Sequence, residues 1–437
     1  MAFENISLFP MGTRINDSGN LELGGCDAVE LVKEFGTPLY VYDEVTIRNM
    51  AKTFVHEFTS RYPNTVVAYA SKAFLNKEMA RIANQENLSL DVVSGGEIAV
   101  AHSGGFPPER MDFHGNNKTP QELSEAIEAG VGTIIVDGFH ELDLLTEIAT
   151  SMNVKQPIML RLSPSVDAHT HGHTTTGILD VKFGFSIESG ESTIAIKQAL
   201  SASSLDLKGI HFHLGSPIFE LEPYSEAIDT VLEYLSKFKD EGLDLREFSP
   251  GGGFAIGYVR NQPPPSISEY AEVITSMLKR KCKDLGFTEP KLVIEPGRSI
   301  VGRAGVALYT VGVIKKIPSV RTYVSVDGGM GDNIRPALYG SKYEAVTANK
   351  MLSSETKQTV TLAGKYCESG DLLVKDVALP SPEAGDTIAI PSSGAYCLAM
   401  SSNYNMSPRP AVLLVKNGRP KLIRKRETYE DLMALDL

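Results

Sequence analysis

The chain has 437 residues, of which 42% are hydrophobic and 22% are charged. A chain of this length and composition can bury a large core and exceeds what one ordinary domain holds, so two domains are expected. The 54 acidic residues outnumber the 42 basic ones, and the net charge of -12 comes without a long basic run, which argues against a nucleic-acid partner.

The four cysteines, Cys26, Cys282, Cys367 and Cys397, are scattered and form no C-x-x-C pair. Reduced thiols in a cytoplasmic protein fit this spacing, and an organellar location would require that a transit segment has been removed. No apolar stretch approaches the length that crosses a bilayer, and the N-terminus lacks the basic and apolar regions of a secretion signal. We therefore expect no membrane partner.

In chain order, short apolar runs that end in Gly, Asp, Ser or His recur from about residue 38. They are "PLYVYD", "VVAYASKA", "LSLDVVSGG", "MDFHGNN", "TIIVDG", "PIMLRLSP", "LKGIHFHLGS", "EFSPGGGF" and "KLVIEPGRS". Helix-like stretches such as "TPQELSEAIEAG" separate most of them, so strand and helix alternate, as in parallel sheets. Polar strand ends favour an α/β fold of the (β/α)8 TIM-barrel type with its site on that face. A doubly wound open sheet is the alternative, but no G-x-G-x-x-G opens the first unit.

After about residue 304 the sequence becomes rich in segments typical of β-strands, such as "VALYTVGVIKK", "TYVSVDGG" and "DTIAIPSSGAY". Short strands at close spacing predict a β-sandwich or β-barrel as the second domain. In "AVLLVKNGRPKLIRK" an Asn-Gly pair separates two apolar runs, which predicts a β-hairpin.

Lys72 follows the strand-like stretch "VVAYAS". For any single lysine, a solvated side chain is the ordinary interpretation. A lysine at the end of a buried strand, however, loses hydration, which disfavours the ammonium form and leaves neutral amine as a nucleophile. The other strand ends decide between the two interpretations.

Two of these ends carry glycines and an acid. "FSPGGGF" places Gly251, Gly252 and Gly253 after a strand, where bare backbone N–H groups can approach a phosphate, although glycine triplets also occur in plain turns. "LVIEPGRSIVG" ends a strand with Glu295 and Arg298. This pair is either a surface ion pair or a carboxylate that keeps a pyridine nitrogen protonated, with a guanidinium beside it.

A third strand end, "GIHFHLGS", supplies His211 and His213 on one strand face and then Ser216. One imidazole suits the face of a cofactor ring, and the serine hydroxyl suits a phosphate. Taken together with Lys72, the strand ends predict pyridoxal 5'-phosphate, with the Lys72 amine as its Schiff-base partner.

The sequence resembles the diaminopimelate decarboxylase family, which is one of the fold-type III pyridoxal-phosphate-dependent decarboxylases. The segments that carry the resemblance run over almost the whole chain: "YASKA", "LDVVSGGE", "HGNNKT", "HFHLGS", "GGGF", "EPGRSIVG", "VDGGMGDNIRPALYG", "YCESGDL", "SSGAYCLAMSSNYN" and "RPAVLLV" through "KRETYEDL". The resemblance implies an alanine-racemase-like barrel over residues 38–304 and a β-domain over 1–37 and 305–437. It also implies a homodimer with shared active sites that converts meso-2,6-diaminopimelate to L-lysine and CO2, the last step of lysine synthesis.

The same resemblance assigns roles to individual residues. Lys72 corresponds to the Schiff-base lysine, His213 to the ring-stacking histidine, Glu295 to the partner of the pyridine nitrogen and Cys367 to the proton donor. The implied cofactor contacts are Lys72, His213, Ser216, Gly251, Gly252, Gly253, Glu295, Gly297, Arg298 and Tyr396. The implied substrate contacts are Arg298, Arg335, Tyr339, Glu368 and Tyr396.

The chemistry of the implied substrate agrees with these roles. Meso-diaminopimelate carries an ammonium and a carboxylate at each end, so recognition of its unreactive end requires both an anionic and a cationic side chain. Glu368, with Arg298 and Arg335, offers that pair. Cys367 suits the proton donor because an ordinary thiol, with a pKa of ~8.5, is mostly protonated at neutral pH.

Other functions remain open at this point. They are a decarboxylase of ornithine, lysine or arginine, a racemase on the same cofactor, and a non-catalytic homologue that regulates a partner. A racemase needs a second base and little distal recognition, which Glu368 and Arg335 argue against. A regulatory homologue is expected to have lost Lys72 or Cys367, and both are present.

Three features depart from the pattern. His169, His171 and His173 alternate as metal ligands on a strand would, but Gly172 makes poor strand material and no metal is expected there. Arg303 and Gly331 stand inside matching motifs where other residues are expected. They put the fine substrate preference in doubt, but not the class of reaction.

Overall fold

The computed structural model describes residues 5–168 and 180–437, so the loop with His169, His171 and His173 lies outside the described residues. The chain divides into two compact units. The β-unit consists of the described residues up to Met50 together with Ile256–Pro264 and Arg298–Leu437. The barrel unit consists of the described residues of Ala51–Ala255 together with Pro265–Gly297.

The strands of the described residues are, in chain order, β1 (Arg14–Ile15), β2 (Leu21–Leu23), β3 (Cys26–Asp27), β4 (Leu39–Asp43), β5 (Thr65–Ala70), β6 (Ser89–Val92), β7 (Met111–Phe113), β8 (Thr133–Val136), β9 (Gln156–Ser163), β10 (Phe185–Ser186), β11 (Leu205–His211), β12 (Glu247–Gly251), β13 (Lys291–Ile294), β14 (Gly305–Ile317), β15 (Arg321–Val326), β16 (Val346–Thr347), β17 (Gln358–Ala363), β18 (Leu372–Leu379), β19 (Thr387–Ile390), β20 (Ala411–Lys416) and β21 (Arg419–Arg424).

The α-helices of the same residues are α1 (Ala28–Phe35), α2 (Glu44–Thr59), α3 (Lys77–Gln85), α4 (Gly95–Ser103), α5 (Pro120–Ala129), α6 (Phe139–Ser151), α7 (Glu191–Ser201), α8 (Glu222–Leu235), α9 (Ile267–Leu285), α10 (Arg298–Val301), α11 (Arg335–Tyr339) and α12 (Tyr429–Met433). Short 3-10 turns occur at Ile6–Leu8, Ser71–Ala73, Pro108–Arg110, Ser236–Phe238, Leu398–Met400 and Tyr404–Met406.

Eight parallel strands close into a barrel in the barrel unit. Their order is β5, β6, β7, β8, β9, β11, β12 and β13, and β13 pairs with β5 to complete the circle. The short strand β10 adds to β9. Helices α3 to α9 alternate with these strands. The predicted (β/α)8 barrel is therefore confirmed, and the carboxyl ends of its strands form the face where barrel enzymes place their sites.

Local sequence signals set the helix limits of this unit. Helix α5, inside the predicted helical stretch, starts at a capping box in which Thr119 and Glu122 satisfy each other's backbone N–H groups, and ends at Gly130 in the left-handed conformation. Helix α9 starts with the same arrangement at Ser266 and Glu269. Such caps supply partners for N–H groups that the first helical turn leaves unpaired.

The β-unit contains a sheet in the order β18, β17, β15, β14, β4, β20 and β21, in which β19 also pairs with β14 and β16 pairs with β19. A small sheet of β1, β2 and β3 lies in the same unit. The predicted β-rich second domain is confirmed. So is the predicted hairpin, because β20 and β21 pair antiparallel across Asn417 and Gly418, both with positive φ, as a type I' turn requires.

The observed units differ from the predicted limits of 38–304 at three places. The run "PLYVYD", expected as the first barrel strand, is β4 of the β-unit, where it pairs with β14 and β20. All five residues of β4 are buried. A strand that is buried on both faces has a continuous apolar sequence, whether it lies in a barrel or in another sheet. The segment Ile256–Pro264 and residues 298–304, both expected in the barrel, also belong to the β-unit.

None of the helices within residues 5–168 and 180–437 combines the length and the apolar character that a membrane span requires.

Candidate active site

Lys72 lies in the 3-10 turn that directly follows β5. Its Nζ is 3.5 Å from Oδ2 of Asp91, a residue of β6 that is 1% exposed. Burial opposes ionisation of Asp91, yet His114 and Lys72 hold the pKa of its carboxyl below the usual range. The Lys72 side chain is 42% exposed, so the predicted loss of hydration is wrong. An exposed amine and a buried carboxylate therefore lie side by side.

Glu295 follows β13 and is enclosed by polar side chains from other strand ends. Its Oε1 accepts a hydrogen bond from the Ser249 hydroxyl at 2.8 Å, and its Oε2 lies 3.2 Å from Nε2 of His211. Nε2 of His114 is 3.7 Å from Oε1. The rings of the two histidines meet edge to face, with their centroids 4.9 Å apart.

Burial controls the charge state of this group. It raises the pKa of Glu295, lowers the pKa of His114 to about 4 and lowers the pKa of His211 well below its ordinary value. Both imidazoles are therefore neutral at pH 7. Among the described residues, no lysine or arginine lies within ion-pair distance of the Glu295 carboxylate. A cationic ring nitrogen would supply the missing partner.

The predicted glycine turn follows β12 and is held against neighbouring backbone. Gly251 and Gly253 have φ values of 75° and 104°, which L-residues rarely adopt. A Cβ on Gly252 would lie 2.1 Å from the carbonyl oxygen of Glu295. The N–H of Gly252 donates to Nδ1 of His213 at 3.2 Å. The turn and the predicted ring-stacking histidine are therefore adjacent.

Two other predicted cofactor residues also lie at barrel strand ends. A Cβ on Gly297 would come within 2.9 Å of the Cβ of Ala70, so a side chain there would push apart the ends of β13 and β5. Ser216 lies in the loop after β11, three residues beyond His213, and is partly buried.

Burial, with Lys72 adding to it, lowers the pKa of His213 well below its ordinary value, so its ring is neutral.

The β-unit brings a second set of predicted residues together around Tyr258. Cζ of Arg298 lies 4.7 Å from the ring centre of Tyr396, and its Nη1 donates to the hydroxyl of Tyr258 at 2.5 Å. Cζ of Arg335 lies 4.9 Å from the ring centre of the same Tyr258. Tyr396 has a φ of 59°, a strained conformation for a residue with a side chain and one that clusters at functional sites.

Arg335 opens α11 and is only 5% exposed. Its Nη2 donates to the Ser341 hydroxyl at 3.2 Å, whereas Nε and Nη1 have no acceptor among the described residues. Buried, charged donors without acceptors are costly, so this guanidinium is suited to an incoming carboxylate. Tyr339 stands four residues further on and therefore on the same face of the helix.

Cys367 and Glu368 lie in the loop between β17 and β18 and are exposed. The N–H of Cys367 donates to Oδ1 of Asn405 at 3.1 Å, and the hydroxyl of Tyr404 donates to Oε1 of Glu368 at 2.7 Å. The Tyr366 ring stacks on Tyr404 with centroids 6.0 Å apart. The predicted proton donor and the predicted distal acid are thus held in one loop.

The two departures inside the motifs have structural explanations. Nε of Arg303 donates to the backbone carbonyl of Phe9 at 2.6 Å, so this side chain anchors the N-terminal segment. A Cβ on Gly331 would lie 2.2 Å from the hydroxyl oxygen of Tyr366. Position 331 therefore requires glycine as long as the Tyr366 side chain, next to Cys367 in the sequence, occupies this place.

Comparison with known proteins identifies the family. A model of the pyridoxal-binding domain of pyridoxal-dependent decarboxylases matches residues 46–302. The diaminopimelate decarboxylase of Bacillus subtilis is 47% identical over 432 residues, which cover 98% of each chain. The chain belongs to the diaminopimelate decarboxylase family. The solved diaminopimelate decarboxylase of M. jannaschii superposes with a TM-score of 0.92 at 35% identity, over 100% of this chain and 99% of that one.

The barrel unit fits the cofactor of this family. Glu295 offers a buried carboxylate that has no lysine or arginine within ion-pair distance in the described part of the chain, and Lys72 offers an amine at a strand end. The ligating atoms of His114, His211 and Glu295 also lie within 4.8 Å of one another, which is close enough to hold a divalent metal. The family is pyridoxal-dependent, and a buried carboxylate and a strand-end amine are groups that suit a pyridine nitrogen and an aldehyde carbon.

Sequence reasoning missed several residues of these two sets. Asp91 and His114 follow the runs "LSL" and "MDF", and the rule used for Lys72, a polar residue at the end of an apolar run, would have found both. Tyr258 carried no such signal because it lies in a loop, five residues beyond the glycine turn. Its role depends on two arginines that are distant in the sequence.

Asp332, in the β-unit, gives a prediction for stability. It is 2% exposed, its Oδ2 has no hydrogen-bond partner among the described residues, and burial raises its pKa to about 7. The folded protein therefore keeps this proton up to about pH 7, whereas an unfolded chain releases it near pH ~4. We expect this group's contribution to the free energy of unfolding to fall between those values, by roughly 2 to 4 kcal/mol.

Asp332→Asn should remove that part of the pH dependence and stabilise the protein at pH 8, as measured by urea unfolding across the pH range. The matched control is Asp284→Asn, an exposed aspartate whose replacement should leave the profile unchanged. An identical profile for Asp332→Asn and the unmodified protein would contradict the prediction.

Proposed function

We propose that this protein decarboxylates meso-2,6-diaminopimelate to L-lysine and CO2, with pyridoxal 5'-phosphate as cofactor, as the last step of lysine synthesis. Relatives that bear the name of this enzyme and match almost the whole chain support the reaction. A related solved structure holds L-lysine, at 35% identity and a TM-score of 0.90. The observation that carries the choice of substrate is the buried Arg335 with two unpaired donors.

Arg335 favours a substrate with a carboxylate at its unreactive end. In meso-diaminopimelate, the L-centre keeps its ammonium and carboxylate throughout the reaction, so the guanidinium can bind that carboxylate and Glu368 can bind the ammonium. Ornithine or lysine, decarboxylated at its single carboxyl, would leave Nε and Nη1 of Arg335 without an acceptor. That penalty disfavours the alternative decarboxylases.

At the reactive end, the cofactor supplies an electron sink for the bond that breaks. The chain's own groups hold it there. The Lys72 amine would bind its aldehyde carbon, and the Glu295 carboxylate, which is held by the Ser249 hydroxyl and His211, would bind the ring nitrogen. Because both neighbouring imidazoles are neutral, neither would compete as a cation with the ring nitrogen for this carboxyl group.

The carbon that loses CO2 must receive a proton, and Cys367 is the proposed source. Its thiol hydrogen on Sγ would be transferred after CO2 departs. The backbone of the loop is fixed through Asn405, and Tyr404 orients the neighbouring Glu368. One loop would thus deliver both the proton and the distal acid.

We further propose a cytoplasmic homodimer with shared sites. Cys367 and Glu368 are exposed in the single chain, which is expected of residues that complete a site in the neighbouring subunit. The four cysteines form no disulfide, in keeping with a reducing compartment.

Substrate recognition can be tested with Arg335→Ala and Glu368→Gln. Each variant loses a charge-assisted contact worth about 1.5 to 3 kcal/mol, so KM for meso-diaminopimelate should rise by roughly 10-fold to 100-fold. Cofactor affinity, measured by absorbance titration, should change much less. Arg321→Ala is the control, because Arg321 pairs with Asp376 elsewhere in the β-unit.

The substrate assignment itself is tested on the unmodified protein by measuring CO2 release from meso-diaminopimelate, L-lysine, L-ornithine and L-arginine. We expect release from meso-diaminopimelate alone. Equal activity on L-lysine would favour a decarboxylase of lysine or ornithine. L-lysine has no second carboxylate at its unreactive end, so such activity would show that this carboxylate is not needed for recognition.

A further inference from the structure

Tyr258, a residue of the β-unit, contacts both Arg298 and Arg335. It belongs to the segment Ile256–Pro264 and is partly buried. Its ring centre is 5.8 Å from Cζ of Arg298 and 4.9 Å from Cζ of Arg335. Its hydroxyl accepts the 2.5 Å hydrogen bond from Nη1 of Arg298. A single side chain is therefore in contact with two guanidinium groups.

The ring of Tyr258 attracts the guanidinium of Arg335 through the negative face of its π-system, and its hydroxyl holds Arg298 by a hydrogen bond. The ring of Tyr258 is itself restrained, because Tyr343 packs against it at 5.2 Å and 79°. Tyr343 in turn contacts the buried thiol of Cys397 at 3.5 Å. The position of Arg335 is thus fixed from one side by a supported ring, while its Nε and Nη1 remain available for an acceptor.

We propose that Tyr258 is a positioning residue that sets the preference for ligands with a carboxylate at the unreactive end. It does so by holding the guanidinium of Arg335 in place and by tying that position to Arg298. The inference rests on the proposed function, in which Arg335 binds this carboxylate. Tyr258 itself does not take part in breaking the bond, so its loss should affect binding more than turnover.

The test compares two inhibitors that differ by one carboxylate. L-lysine keeps the carboxylate of the unreactive centre, whereas 1,5-diaminopentane has the same two amines without it. In Tyr258→Phe, which keeps the ring and loses the hydroxyl, KM for meso-diaminopimelate and Ki for L-lysine should both rise about 5-fold to 10-fold. The value of kcat should stay within about 2-fold, and Ki for 1,5-diaminopentane should not change.

Tyr258→Leu also removes the ring and should raise the same two constants further. The control is Tyr323→Phe, because Tyr323 is another tyrosine of the β-unit whose ring lies near an arginine, with Cζ of Arg321 6.0 Å from its centre. If Tyr258→Leu fails to fold, Tyr258→Phe decides alone, since it changes only one oxygen atom.

Two results would overturn the role of Tyr258. One is an unchanged KM and L-lysine Ki in Tyr258→Phe, and the other is an equal rise in Ki for 1,5-diaminopentane, which would indicate general damage to the site. Failure of the proposed function is a separate result. In that case the unmodified protein would release no CO2 from meso-diaminopimelate, whatever Tyr258 does.

Discussion

Replacing Lys72 with alanine should abolish decarboxylation, with a loss of at least roughly 1000-fold in kcat, as for other residues that form a covalent intermediate. Lys72 is placed at the end of β5 with its Nζ 3.5 Å from a buried carboxylate. The protein without this amine should still fold, because the side chain packs little surface.

The measurement is borohydride reduction followed by mass spectrometry of peptides. In the unmodified protein loaded with pyridoxal phosphate, the reduced cofactor should be found on Lys72, and in Lys72→Ala it should be absent. Lys77→Ala is the matched control, since Lys77 is an exposed lysine five residues away and its loss should change neither result. Reducible cofactor retained on the Lys72→Ala chain would contradict the assignment.

Much of the fold could be predicted from the alternation of apolar runs with segments that have a helical sequence pattern. Eight of the nine apolar runs are the eight barrel strands. They could be recognised because parallel strands that are buried on both faces consist of consecutive apolar residues. The ninth, β4, has the same text but pairs with β14 and β20. Local sequence cannot separate these cases, since pairing partners are chosen by tertiary packing.

The cofactor half of the site was predictable for a related reason. In a barrel, polar residues at strand ends converge on one face, so the sequence alone was enough to group Lys72, His213 and Glu295. What the pattern could not give was their environment. Lys72 is more exposed than expected, and the glycines of the turn are required by the backbone of neighbouring strands, as the 2.1 Å approach at Gly252 shows.

The substrate half was predictable only through the family resemblance. Arg335, Glu368 and Tyr396 lie in loops and short turns of a β-rich region, where no periodicity marks a functional residue. The structure adds the reason why Arg335 is suited to bind an anion, which is its burial with two unpaired donors. It also adds Tyr258, whose contacts join residues 40 and 77 positions apart in the chain and therefore leave no trace in local sequence.

The proposed homodimer leads to a quantitative prediction. Lys72 belongs to the barrel unit, whereas Cys367 and Glu368 belong to an exposed loop of the β-unit. If the loop of one subunit completes the site of the other, each dimer has two sites, and each site takes Lys72 from one chain and Cys367 from its partner. Two inactive variants can then restore one another.

Lys72→Ala and Cys367→Ala proteins, each nearly inactive, should regain activity when they are unfolded together and refolded as a mixture. About half of randomly paired dimers contain one chain of each kind, and each of these has one intact site of two, so recovery should approach roughly a quarter of the unmutated activity. The other site of the mixed dimer lacks both groups and contributes nothing.

The experiment uses a different affinity tag on each variant, so that mixed dimers can be isolated and assayed by CO2 release from meso-diaminopimelate. Each variant refolded alone is the control and should stay inactive. Isolated mixed dimers should show about half the specific activity of the unmutated dimer, because one site in two is intact. Mixed dimers that form but release no CO2 would show that Lys72 and Cys367 act within one chain, and the shared-site arrangement would have to be abandoned.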